Sequence, residues 1–186
     1  SRGLGDVYKR QVEYIYIDSN VWNFLYKNDI DLKEEFPENN YELRIVGEQI
    51  LENRSISHDP ILEKYIANRI ELWEIKIDRI FGFFNDHHST EDQRVGGYED
   101  GRYIGQDEEG FILSYKGKVG DTKRKSGLYR NEADLSLAAR SVHSIVLTLD
   151  TKGPLKWAKQ QGFLIVDLTD FCQEKCTLKA YVERKC

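Results

Sequence analysis

Two short apolar runs rich in β-branched residues, 12–18 (VEYIYID) and 144–150 (SIVLTLD), each deliver an aspartate at their carboxyl end. The stretches around them carry helical rather than alternating apolar patterns, so strands alternate with helices. That alternation admits few architectures. It predicts an α/β domain with a mainly parallel sheet, which takes its ligands at the carboxyl ends of the strands. Apolar stretches such as 145–147 and 163–166 fall far short of the ~20 residues a membrane helix needs, so the reading is a soluble chain with no membrane partner.

Finer punctuation divides the chain further. Ser19 is placed to cap a short helix through about Lys27, and an acidic loop follows at 28–38. Asn39 or Asn40 then caps a second predicted helix, in which Leu43, Val46 and Ile50 recur at helical spacing up to about Asn53. The Asp59-Pro60 pair starts a third, about 25 residues long, whose stripe is Ile66, Ile70, Trp73, Ile77, Ile80, Phe81 and Phe84. Residues 82–127 hold nine of the fourteen glycines and read as an insertion with a β-hairpin at 102–115. Beyond it come a helix at 133–142, the strand ending in Asp150, a helix at 154–161 closed by Gly162, a strand at 163–168 and a last helix at 170–184.

Composition narrows the function. Lys and Arg number 27 against 32 Asp and Glu, a formal net charge of −5, which argues against a nucleic-acid coat. At 40% apolar and 12% aromatic, a chain of this length buries roughly two-thirds of its unfolded surface, so disorder is not its dominant state. The three cysteines, Cys172, Cys176 and Cys186, are too clustered and too odd in number for a secreted disulfide framework, which points to reduced thiols in the cytoplasm. There is no methionine, and residues 1–11 (SRGLGDVYKRQ) resemble a translated library-adaptor sequence. Set aside as non-native, they leave a single domain over 12–186 and deepen the net charge to −7 through the loss of Arg2, Lys9, Arg10 and Asp6.

Four acids stand out. Asp18 and Asp150 close strands, while Glu63 and Asp134 fall in or near the first turns of helices, so all four are expected to converge on one edge of the sheet. Clustered carboxylates repel, and such a site is normally held together by Mg²⁺ or Mn²⁺, hard cations that prefer oxygen ligands. A cation of this kind lowers the pKa of a bound water and stabilises a leaving oxygen, so phosphodiester hydrolysis is the natural reaction class.

Taken together, Asp18-Ser19-Asn20 after a strand, Glu63 six positions after Ser57, Asp134 in DLSLAARS and Thr148-Leu149-Asp150 resemble the PIN-domain ribonucleases, a family that includes the VapC-like toxins. The resemblance runs from residue 12 to about 168 and is interrupted by the glycine-rich insertion. It implies a PIN-like three-layer fold and a Mg²⁺- or Mn²⁺-dependent endoribonuclease that cuts single-stranded RNA to 5′-phosphate and 3′-hydroxyl ends. It also implies a homodimer and, for a toxin, a small antitoxin protein as partner. On this resemblance Asp18, Glu63, Asp134 and Asp150 are the catalytic metal ligands, Asn20 positions Asp18, and Thr148 is an orienting hydroxyl. Glu48 on the preceding helix is the substitute for Glu63. Asp134 and Asp150 lie slightly closer together than the family leads one to expect, and Lys152 stands where its last motif often has a second acid.

Other features offer weaker leads. Lys116, Lys118, Lys123, Arg124, Lys125 and Arg130 form a basic run in an acidic chain, suited to RNA phosphates, with Tyr115 or Tyr129 as a stacking face. Asp86-His87-His88 invites comparison with the DHH phosphoesterases, although no further acidic motif of that family accompanies it. His58 and His143 lack metal-ligand spacing. The rivals are a catalytically inactive PIN-like module that binds nucleic acid, another metal-dependent phosphoesterase, and a phosphatase using Asp18 as nucleophile. That last enzyme would want a second acid where Asn20 stands.

Overall fold

All six strands described run the same way. The computed structural model describes residues 12–56, 59–82, 93, 95–115, 127–150 and 152–186, with the backbone alone at 53–56. Strands β1 (Glu13–Ile17), β2 (Tyr41–Val46), β3 (Lys76–Ile80), β4 (Gly101–Arg102), β5 (Ile145–Thr148) and β6 (Ile165–Asp167) form one parallel sheet in the order β4-β3-β2-β1-β5-β6. Ile15 pairs with Leu43 on one side and Ile145 on the other, and Ile17 with Leu147.

Parallel strands covered on both faces are apolar throughout, and their alternation feeds two cores. Ile15, Ile17, Leu43, Ile45, Ile145, Leu147 and Val166 face one side. There they meet α1 (Val21–Asn28), α2 (Leu32–Glu35), α4 (Pro60–Leu72) and α8 (Leu178–Lys185). Tyr16, Val46, Val146 and Ile165 face the other, under α5 (Gln106–Tyr115), α6 (Glu132–Arg140) and α7 (Gly153–Gln160). Helix α3 (Gly47–Ile56) packs on α6. The result is a three-layer α/β fold.

The chain moves outward from β1 to β4, then returns to place β5 on the opposite flank of β1. Helix α1 leaves β1 on one face and α7 leaves β5 on the other. The sheet therefore has a topological switch point between β1 and β5, the place where open α/β sheets bind ligands.

Several local expectations change. Residues 41–46 are a strand rather than part of a helix, because Leu43 and Ile45 share one face and Val46 the other, a period of two. The long third helix stops at Leu72. Glu74 adopts a left-handed conformation (φ 52°), and the apolar residues beyond it belong to Ile75 and β3, so two elements share a stripe that reads as one. The hairpin at 102–115 is instead β4, paired in parallel with β3, followed by α5, whose acidic first turn and buried Phe111 and Tyr115 four residues apart are helical signals. The last helix likewise divides, into a 3₁₀ turn at Phe171–Gln173 and α8 capped by Thr177. The three cysteines are free, and among the described residues no helix is long and apolar enough to cross a membrane.

Candidate active site

The switch point is built around Asp18. Its N–H donates to the Leu147 carbonyl at 3.0 Å, which holds the end of β1 against the end of β5. Its carboxylate, on a residue only 5% exposed, accepts three side-chain hydrogen bonds. Thr148 Oγ1 and Asn20 Nδ2 reach Oδ2 at 2.6 and 2.7 Å, and Gln49 Nε2 reaches Oδ1 at 3.3 Å. Each donor comes from the turn just beyond a different strand or from a strand's last residue, so the sheet order itself assembles the cluster. Asn20 Oδ1 in turn accepts from the Leu149 N–H at 2.9 Å, tying the turn after β1 to the turn after β5. Thr148 Oγ1 accepts from the Asp150 N–H at 2.9 Å, so one hydroxyl links both aspartates.

Burial pushes the Asp18 carboxyl above its ordinary range. The hydrogen bonds from Thr148, Ser19 and Asn20 oppose this, and the charge of Asp150 adds to it. A second pair of acids lies one strand over. Glu48, in the first turn of α3, accepts from Ser136 Oγ at 2.9 Å through Oε1, while its Oε2 is buried without a hydrogen-bond partner. Burial raises its pKa as well, the Arg140 charge pulls the other way, and Glu132 raises it further. Glu48 precedes Gln49, but while Gln49 reaches Asp18 the Glu48 carboxylate meets Ser136 of α6.

The expected site residues are thus distributed unevenly. Asp18, Asn20, Thr148 and Asp150 come together. Glu63 is exposed in the first turn of α4, the helix that packs beside α1. Asp134 sits in the first turn of α6, and its charge bears on the phenol of Tyr115. Glu132 lies two residues before it, about 200° round the helix; its Oε2 accepts the Tyr129 N–H at 2.6 Å and its charge bears on Glu48. Glu132 belongs to no motif in the sequence, although its four-residue spacing to Ser136 and Arg140 marks a shared polar face. Gln49 becomes visible as a site residue only once 41–46 is a strand.

Arg130 is exposed in the turn before α6, whereas Lys116, Lys118, Lys123, Arg124 and Lys125 lie outside the described residues. So do Asp86-His87-His88, Ser57, His58 and residues 1–11. Tyr115 is 6% exposed and packs on Trp157 at 5.3 Å between ring centroids, which removes it as a stacking face for a base.

Asn20 and Gln49 turn their amide nitrogens to Asp18, whereas the carboxylates of Asp18 and Asp150 and the Thr148 hydroxyl are the kind of oxygen group preferred by a hard divalent cation. A buried carboxylate oxygen with no hydrogen bond, on Glu48, suits one as well. Among the described residues, however, no three His, Cys, Asp or Glu side chains stand within metal-holding reach of each other. No protein-family model, curated protein or solved structure matches the chain.

Proposed function

We propose that this protein is a divalent-metal-dependent endoribonuclease with a PIN-like fold, acting on single-stranded RNA. The observation that carries the reading is the meeting of Asp18 and Asp150 at the switch point, where the Thr148 hydroxyl donates to the Asp18 carboxylate and accepts from the Asp150 N–H. Asp18 and Asp150, the acids that meet at the switch point, would hold Mg²⁺ or Mn²⁺. Bound there, the ion supplies Lewis acidity and an activated water.

The chain's own groups have distinct tasks on this reading. Thr148, Asn20 and Gln49 orient Asp18, and Asn20 also locks the β1 and β5 turns together. Exposed Arg130, with Lys123, Arg124 and Lys125, contacts RNA phosphates. A homodimer and a small protein inhibitor of the antitoxin kind are the partners that accompany this reading.

That no three acids among the described residues stand within metal-holding reach favours one alternative, a module that binds RNA without turnover. Incubating unstructured, end-labelled RNA with the protein and Mn²⁺, Mg²⁺ or a chelator decides between them. Metal-dependent internal cleavage, abolished by Asp18→Asn and Asp150→Asn but retained by Glu63→Gln, is the expected result. Cleavage in chelator, or full activity in Asp18→Asn, contradicts the mechanism, and RNA binding without cleavage supports the alternative.

A further inference from the structure

Between Asp150 and Asp167 the chain carries Lys152, Lys156 and Lys159 and no acid, an unbroken basic stretch in a protein whose formal net charge is −5. Helix α7 turns that stretch into a stripe. Positions 152, 156 and 159 are four and then three residues apart, so Lys156 and Lys159 share one face of the helix, and Lys152 at its N-cap heads that face. All three are exposed, and neither Lys152 nor Lys156 forms an ion pair with a described residue.

The stripe borders a cavity of about 420 Å³ between α7 and β6. Leu155 and Ile165 give it an apolar wall, Lys156 and Lys159 line it from the helix, Asp167 from the strand, and Asp150 from the turn after β5. That volume lies within the range of roughly 300–1,000 Å³ in which small-ligand pockets fall, room for one nucleotide. Asp150 also gives its N–H to the Thr148 hydroxyl, so the cavity and the switch point share a residue.

The acids of the cavity are already engaged. Asp167 Oδ1 accepts from the Thr169 N–H at 3.0 Å and from its hydroxyl at 2.7 Å, and Oδ2 faces Lys159 Nζ at 3.6 Å. Asp150 Oδ1 accepts from the Lys152 N–H at 2.8 Å. With Lys159 set against Asp167, Lys152 and Lys156 are the cations of the stripe that lack a counter-charge, and a backbone phosphate supplies one.

We propose that this cavity seats the nucleotide next to the one held at the switch point, its base against Leu155 and Ile165 and its phosphate on Lys152 and Lys156. The inference rests on the reading of the chain as a protein that acts on single-stranded RNA, and it says where the strand runs: along α7 toward β6, away from β2.

Binding and placement are measured separately, on the full chain and in chelator so that no turnover is needed. In fluorescence-anisotropy titrations with a labelled oligouridylate, the double variant Lys152→Gln, Lys156→Gln should bind more weakly than wild type. Its dependence on log salt should flatten by about 0.7 for each phosphate no longer neutralised. Lys64→Gln, on an exposed position of α4, should match wild type. An oligouridylate carrying thiouridine should photo-crosslink to the segment 154–165. A wild type that binds no oligouridylate overturns the proposal, as do an unchanged salt slope in the double variant and crosslinks confined to other segments. Adding Mn²⁺ at sub-saturating RNA separates the two readings. Binding and crosslinks as expected, with no cleavage, leave the seat in place and count against the nuclease alone. Cleavage by wild type that the double variant retains in full removes the seat and leaves the nuclease standing.

Discussion

Asp78 illustrates how this chain carries charge in its interior. Burial pushes its carboxyl up, but Arg140 and Arg102 outweigh that and hold it below its ordinary value of 3.8. Tyr16, which donates to the same carboxylate, is driven the other way, to about 12, by burial and by the Asp78 charge. Removing one partner of such a network leaves the others uncompensated, so Asp78→Asn should cost about 3 kcal/mol at pH 7. The sign of the pH effect follows from the lowered pKa. Stability from Asp78 is fully present above 3.8 and is lost as pH falls from there through the native value. The wild-type advantage over Asp78→Asn should accordingly shrink in acid, and urea unfolding between about pH 2.5 and 7 will measure it; a constant gap would contradict the pairing. At this scale the sequence is readable wherever an acid follows a strand, as at Asp18 and Asp150. Glu63 stands ahead of Glu48 as second acid through its spacing from Ser57 in the resemblance, and reading 41–46 as helix puts Glu48 in the middle of a helix rather than in the turn beyond a strand.

Elements that meet through their backbones are the least visible in a linear pattern. β4 is two residues long and joins the sheet through a glycine turn in which the Gly96 N–H donates to the Ile80 carbonyl at 2.9 Å. A Cβ on Gly96 would stand 2.4 Å from the Gly101 Cα, with no flexible side chain to give way. Gly96→Ala should therefore destabilise the fold by about 2 kcal/mol, visible as a lower Tm, and a neutral result would show that this approach is looser than described. Nothing in the spacing of apolar residues announces so close a backbone approach, which is why 102–115 reads as a hairpin and not as β4 and α5. The same limit explains the overlong third helix: Ile70, Trp73 and Ile77 keep helical spacing across a break made by one left-handed residue, Glu74. By contrast β1, β5, α6 and α7 are legible, because apolar strands ending in acids and a Pro-Gly bounded helix have few alternative conformations.

For the whole molecule, the order of strands does what no single residue can. Placing β5 beside β1 brings residues 130 positions apart into hydrogen-bonding range, as Thr148 and Asp18 show. The acidic balance of the chain means that a polyanionic substrate must be drawn by local basic groups. Replacing Lys123, Arg124 and Lys125 together by Gln should weaken single-stranded RNA binding and leave Mn²⁺ affinity unchanged. The dependence of binding on log salt should flatten by about 0.7 for each phosphate that the variant no longer neutralises. An unaltered slope in a fluorescence-anisotropy titration would remove that run from the binding surface. Everything proposed for the site turns on a divalent ion at the β1–β5 switch point. Anomalous diffraction from crystals grown with Mn²⁺ tests this most directly: a peak beside Asp18 and Asp150, absent in Asp18→Asn, is the predicted result. A Mn²⁺-replete crystal with no ion at that edge, from protein that still cleaves RNA, would contradict it.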